Sequence, residues 1–282
     1  MRSEARRDRG EVDMAEPKER LIPANDAVTF GVKVAGQGDP VVYLHGTGGL
    51  IWDPFLDGLS DSYTVYAPNL PGTGSSTGLE NIRDLWDLAL CYYDLFDKLG
   101  LDSPDVIGHS LGGMIAAELA ATDQSRVKRL VLLAPAGLWR DDVPIPDMFA
   151  MLPQELGQLV VADPNSPVAQ AMAKMPESIE ERMEMMVARI QNMQAAAKFL
   201  WPIPDKGLSR RIHRIKAPTL IVWGKQDRLI APVYGEDFQR QIPGSKLVTI
   251  DNASHLLPVE QTPRVLEAVT GFLASQPAVA VA

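Results

Sequence analysis

Short, mostly apolar runs recur along this chain, and segments of helical pattern separate them. They are Val41-Val42-Tyr43-Leu44, Thr64 to Ala67, Asp105 to Ile107, Val127 to Leu133, Pro218 to Trp223 and Lys246 to Ile250. An unbroken apolar run is what a strand buried on both faces requires. Strands alternating with helices pair in parallel, with helices on both faces of the sheet. The intervening helical patterns run from Asp53 to Leu59, Leu79 to Leu99, Ser110 to Ala121 and Val233 to Gln241. Gly100 supplies a stop signal for the second of these, and Thr262-Pro263 opens a final helix with proline at its first position. Two short strands, Arg20 to Ile22 and Thr29 to Val34, precede the series around a turn at Asn25-Asp26. The expected fold class is α/β, with a mostly parallel central sheet.

The rhythm breaks once, between Ala136 and Gly207. That stretch is helical in pattern, with Ser178 and Glu181 spaced as a capping box. Of the eleven methionines, eight lie between Met148 and Met193. The reading is an inserted helical cap, 136–207, on a core formed by 18–135 and 208–275. Residues 1–17, rich in charge, are expected to be disordered, with Met14 an alternative start, and 276–282 to be a loose tail.

Composition narrows the function classes. The net charge is −9, from 27 basic and 36 acidic side chains. Nucleic acid and anionic membrane both call for clustered positive charge, so neither is an expected partner. No apolar run reaches the length of a membrane span, and the first residues lack the apolar core of a secretory signal. Cys91 is the only cysteine, which rules out an intrachain disulfide and a cysteine-rich metal site. A cytoplasmic enzyme is the default expectation, and the oligomeric state stays open.

Gly108-His109-Ser110-Leu111-Gly112 matches the G-x-S-x-G nucleophile elbow, in which serine sits on a sharp turn from strand to helix. Gly74-Ser75-Ser76-Thr77-Gly78 matches the same pattern. Ser76, however, lies in a glycine-rich loop well past its strand, and it reads as a turn residue. Ser110 follows Val106-Ile107-Gly108 directly and opens a small-residue helix, so it is the candidate nucleophile. Its hydroxyl needs a base, and histidine is the usual one near neutral pH.

Four histidines are available. His45 precedes a glycine loop that it is placed to hold, His109 should point away from the neighbouring hydroxyl, and His213 lies among arginines. His255, in the loop after the last strand, falls at the sheet's carboxyl edge, where open α/β sheets bind ligands. An elbow of this kind takes its acid from between serine and histidine in chain order. Asp227, after the strand Pro218 to Trp223, is favoured over Asp141, Asp142 and Asp251. For the oxyanion, the Leu111 N–H is one donor. The loop His45-Gly46-Thr47-Gly48-Gly49 offers a second, Thr47 with Gly48 as alternative.

Taken in order, His45-Gly46-Thr47-Gly48-Gly49, Pro68-Asn69-Leu70-Pro71-Gly72-Thr73-Gly74-Ser75-Ser76, Gly108 to Gly113, Trp223-Gly224-Lys225-Gln226-Asp227 and Ser254-His255 resemble the α/β-hydrolase superfamily. The resemblance covers roughly residues 25 to 275. It implies the α/β-hydrolase fold with helices on both faces of the sheet, a Ser110–His255–Asp227 triad, no metal or organic cofactor, and a cap between the sixth and seventh core strands. It points to the branch of carboxylesterases, carbon–carbon bond hydrolases of aromatic degradation and haloperoxidase-like perhydrolases. Dehalogenases and epoxide hydrolases of this fold carry aspartate at the elbow, so Ser110 sets them aside.

The leading expectation is ester hydrolysis of a small hydrophobic or aromatic substrate. The alternative is hydrolysis of a carbon–carbon bond beside a ketone, which Arg182 or Arg189 above the serine would favour. Leu256 counts against that alternative, since such enzymes often place tryptophan after the histidine. A non-catalytic ligand sensor is the third reading. The cap's methionines suit helix packing or an adaptable apolar pocket. Trp52, Trp139, Met148 and Phe149 are its candidate substrate-binding residues.

Overall fold

A computed structural model describes residues 16–203 and 205–275. Most of the 1–17 segment, Met14 and the 276–282 tail therefore lie outside the described residues. Eight strands form one sheet: β1 (Lys18–Pro23), β2 (Thr29–Ala35), β3 (Pro40–Leu44), β4 (Thr64–Pro68), β5 (Asp105–His109), β6 (Arg129–Leu133), β7 (Thr219–Gly224) and β8 (Lys246–Ile250). Their spatial order is β1-β2-β4-β3-β5-β6-β7-β8. β1 pairs antiparallel with β2, β2 antiparallel with β4, and every later pairing is parallel. Every residue of β5, β6 and β7 is buried, as continuous apolar runs demand of central parallel strands.

Helices α1 (Pro54–Ser60), α2 (Leu85–Leu99) and α3 (Leu111–Thr122) connect the first half of the sheet. α4 (Pro153–Val160), α5 (Pro167–Ala173) and α6 (Ile179–Leu200) all fall between β6 and β7, and α7 (Val233–Gln241), α8 (Leu257–Glu260) and α9 (Thr262–Ala274) complete the chain. Among the described residues, no helix is long and apolar enough to cross a membrane.

Three expected boundaries shift, each for a local reason. α2 begins at Leu85 and not at Leu79, because Asp84 takes the capping position and accepts the N–H groups of Trp86 at 2.9 Å and Asp87 at 3.0 Å. Leu79 to Asn81 form only a tight 3₁₀ turn. β6 begins at Arg129, two residues later than expected, since the Lys128 N–H bonds the Pro104 carbonyl outside the ladder. α9 is capped by Gln261, so Pro263 is its second residue.

Strand order reverses between β3 and β5, since β4 flanks β3 on one side and β5 on the other. In an open parallel sheet this switch point leaves a crevice at the carboxyl ends. The loops leaving β3 and β5 carry His45–Gly49 and Ser110, which the fold thereby sets side by side. At the opposite edge, Arg129 grips Asp105 bidentately at 2.8 and 2.6 Å and also donates to the Leu273 and Ser275 carbonyls. This buried pair fastens β5 and β6 to the end of α9.

Candidate active site

Ser110 has φ 54° and ψ −117°, a left-handed conformation that a side-chain-bearing residue adopts only under constraint. The constraint is visible on both sides. The Ser110 N–H donates to the Leu133 carbonyl at 3.0 Å, and its own carbonyl accepts the Ala136 and Met114 N–H groups. The flanking glycines are there for space. A Cβ on Gly108 would meet the Gly112 carbonyl oxygen at 2.3 Å, and one on Gly112 would meet the Leu44 oxygen at 2.0 Å.

His255 Nε2 lies 2.8 Å from the Ser110 hydroxyl oxygen, and its Nδ1 lies 2.9 Å from Asp227 Oδ2. Asp227 Oδ1 accepts the Leu229 and Ile230 N–H groups at 3.0 and 2.9 Å, and the buried Trp223 indole donates to the Ile230 carbonyl. The carboxylate is thus fixed from its own loop, with one oxygen left for the imidazole. Because Oδ2 can only accept, Nδ1 carries the proton and Nε2 faces the serine as an acceptor. All three side chains are buried.

The other histidines occupy supporting positions. His45 Nδ1 donates to the Gly46 carbonyl at 2.7 Å, while Nε2 accepts the Leu70 N–H at 3.0 Å. Both ring nitrogens are engaged, and burial pulls its pKa down to about 4, so it stays neutral. His109 donates from Nε2 to the His255 carbonyl at 2.8 Å. Burial, with the nearby His255 adding to it, takes the His109 pKa to about 3. His213 is exposed. Ser76 is spent on backbone, accepting from the Gly31 N–H and donating to the Asn69 carbonyl at 2.8 Å each.

The glycine loop closes on itself through the Gly49 N–H to the Gly46 carbonyl, 3.2 Å, leaving Thr47 and Gly48 as the middle of a turn. Among the described residues, neither the Thr47 nor the Leu111 N–H meets a backbone carbonyl. Leu111 opens α3, where an unpaired N–H and the helix dipole both favour a developing negative charge. The helical insertion also reaches this loop. Asn192 of α6 donates to the Gly48 carbonyl at 2.9 Å, and the Thr47 hydroxyl lies 4.0 Å from the Met148 sulfur.

A second seam stitches the end of α4 to the His255 loop. The Leu256 N–H bonds the Val160 carbonyl, Ser254 Oγ bonds the Leu159 carbonyl, and Arg228 donates to the Gln158 and Val161 carbonyls. Glu260 completes it by accepting both the Ala162 and Ser254 N–H groups.

Beside Ser110 lies a narrow cavity of about 20 Å³, room for little more than one water molecule. Its other walls are Ala136, Gly137, Ile145, Met148, Leu200, Ile203, Leu229 and Ile230, all without charge. Of the four residues expected to contact substrate, only Met148 reaches it. Trp139 turns its indole N–H to Asp141, Phe149 packs against the core, and Trp52, half-buried with an indole N–H that has no partner among the described residues, does not line the cavity. Arg182 and Arg189 are exposed on α6 and do not line it. Leu229 and Ile230 were reachable from the sequence, as the apolar pair directly after Asp227. Leu200 and Ile203 carried no local signal.

A family model described as the alpha/beta hydrolase fold matches residues 39–262. The chain is similar to the 2-hydroxy-6-oxononadienedioate/2-hydroxy-6-oxononatrienedioate hydrolase of Burkholderia vietnamiensis, 27% identical over 83% of this chain and 87% of that protein. It is similar to the pimeloyl-[acyl-carrier protein] methyl ester esterase of Vibrio cholerae, 26% identical over 79% of this chain and 89% of that one. A dihydrolipoyllysine-residue acetyltransferase component of an acetoin cleaving system, from Cupriavidus necator, is 26% identical over 80% of this chain. The match spans only 61% of that protein's length. Among solved structures, a serine hydrolase involved in carbazole degradation (CarC enzyme) superposes with a TM-score of 0.75 at 20% identity. It covers 92% of this chain and 99% of that one.

Proposed function

The chain belongs to the α/β-hydrolase fold family, and from that premise we propose that it hydrolyses carboxylic esters of small, uncharged hydrophobic or aromatic acids through an acyl-enzyme on Ser110. The observation that carries this reading is the hydrogen-bonded series Ser110, His255, Asp227 opening onto a cavity with no charged wall. His255 Nε2 takes the proton as Ser110 Oγ attacks the ester carbonyl carbon. The Thr47 and Leu111 N–H groups receive the oxyanion, and the imidazolium so formed is stabilised by Asp227. Collapse of the tetrahedral intermediate expels the alkoxide, which takes the proton from His255. Water, deprotonated by the same nitrogen, then releases the acid and restores the serine.

At about 20 Å³ the cavity is far below the roughly 300 Å³ of a site that encloses a ligand, so the insertion must shift to admit substrate. On this reading the segment 136–207 is a lid.

The second reading is carbon–carbon bond hydrolysis, and the Burkholderia relative favours it. By its name, that protein acts on a dienedioate, a dicarboxylate. Burying a carboxylate without a cation is costly, and neither arginine proposed for that task lines the cavity. Esters of neutral acids need no such partner.

The test pairs wild type and Ser110→Ala on aryl and alkyl esters of graded acyl length, beside a vinylogous diketone carboxylate. Ester turnover that vanishes in the variant supports the proposal. Ester turnover unchanged by the substitution removes Ser110 as nucleophile. Cleavage of the diketone by a wild type indifferent to esters transfers the assignment to the second reading.

A further inference from the structure

Helix α6 is two different helices end to end. Its last turns bury Ala195, Ala196, Phe199 and Leu200 against the body of the protein. All residues from Ile179 to Ile190 are exposed. Within that exposed half, Ile179, Met183, Met186 and Ile190 follow one another at intervals of four, three and four, and Val187 adjoins them. Their exposures run from 52% to 67%. At 3.6 residues per turn, this stripe lies roughly 150° around the helix from the face that the same helix buries. Packing among the described residues therefore does not cover it.

We propose that the stripe is the contact surface for a second copy of this chain, joined by a two-fold axis that sets the outer halves of two α6 helices against each other. The spacing is the first argument, since alternation of four and three is the pattern by which one helix seats another. Area is the second. The five side chains of the stripe expose on the order of 500 Å² per chain, the larger part of the ~800 Å² each partner gives to a standard interface.

Charge narrows the other occupants. The chain carries −9 overall, and Glu180, Glu181 and Glu184 flank the stripe beside Arg182 and Arg189. That surface repels anionic lipid and nucleic acid. The chain's own ends are poor occupants: Ser275 lies beside Arg129, at the amino edge of the sheet, and residues 1–15 hold no apolar repeat to oppose the stripe. A two-fold contact needs no complementary patch elsewhere, because each copy covers the other's stripe.

Size-exclusion chromatography with light scattering on the full chain decides the matter. Wild type is expected at twice its 30.8 kDa chain mass. The Met186→Glu, Ile190→Glu double variant is expected at the single-chain mass, with far-ultraviolet circular dichroism unchanged. Should that variant fail to fold, Ile179→Gln with Met183→Gln reads the same loss through milder changes. A wild type that stays single at its highest soluble concentration overturns the proposal, as does a dimer that survives both variants. Flotation with phosphatidylcholine vesicles, lost in the variants of a single-chain wild type, would overturn it in favour of a lipid surface.

Discussion

The rim of the sheet around Ser110 and the outer half of α6 are made from the same chain under opposite constraints. At the rim nearly every polar group has a partner, and glycines stand where one extra carbon would strike a backbone oxygen. On α6 thirteen consecutive residues, 179–191, are exposed, Met183, Met185 and Met186 among them. The rim holds a geometry, whereas the segment between β6 and β7 is tied to it at separate points: α4 to the His255 loop, Asn192 to the glycine loop, Arg140 to Asp237 and Lys198 to the Leu79 carbonyl. Close packing is concentrated around Ser110 and His255, and exposure on the outer half of α6.

Substitutions can break that contrast. Asp227→Asn keeps both loop hydrogen bonds to Oδ1 yet offers His255 a group that favours the wrong tautomer. The expected fall in kcat is about ten-thousand-fold, with an unchanged melting temperature; steady-state kinetics with calorimetry checks both. Arg129→Ala leaves Asp105 buried without its partner, and urea titration should record a loss of about 3–5 kcal/mol.

One residue type then compares the two regions directly. Met114, fully buried in α3, should cost about 2–5 kcal/mol when cut to alanine. Met185, 41% exposed on α6, should stay within about 0.5 kcal/mol. Equal costs in parallel urea titrations would erase the distinction.

Acid probes the rim. His45 and His109 have folded pKa values, about 4 and about 3, below the unfolded value near 6.5. The unfolded chain therefore takes up protons first as pH falls, and stability declines from about pH 6.5 toward pH 4. For His45 alone the loss approaches about 3 kcal/mol. Denaturation midpoints across that range should drop, and a flat profile would show the two rings to be solvated. A small effect belongs to the seam: Asn192→Ala removes one hydrogen bond to the glycine loop, worth about 1 kcal/mol. The expected reading is a fall in kcat of up to about tenfold, with KM and melting temperature nearly unchanged.

What the sequence made legible follows the same division. The strands, the elbow at Ser110 and the loops bearing Asp227 and His255 are short-range patterns, each complete within a few residues. The start of α2 was misread because the apolar rhythm extends back to Leu79, while the capping carboxylate of Asp84 decides the boundary. The cavity walls were mostly missed, since Leu200 and Ile203 meet Ser110 across some ninety positions of chain. Trp52, Trp139 and Phe149 were favoured for being aromatic and close in sequence. Size and proximity along the chain do not say which way a ring points.

The place of Asp227 and His255 after the last two strands bears on when the site is complete. Ser110 and His255 stand 145 residues apart, and Asp227 joins them only once β7 and β8 have added to the sheet's far side. A chain not yet folded through β8 carries Ser110 without the histidine that stands 2.8 Å from it. On the proposed reading, hydrolysis then belongs to the finished sheet, and recovered activity after refolding reports closure of its long-range contacts.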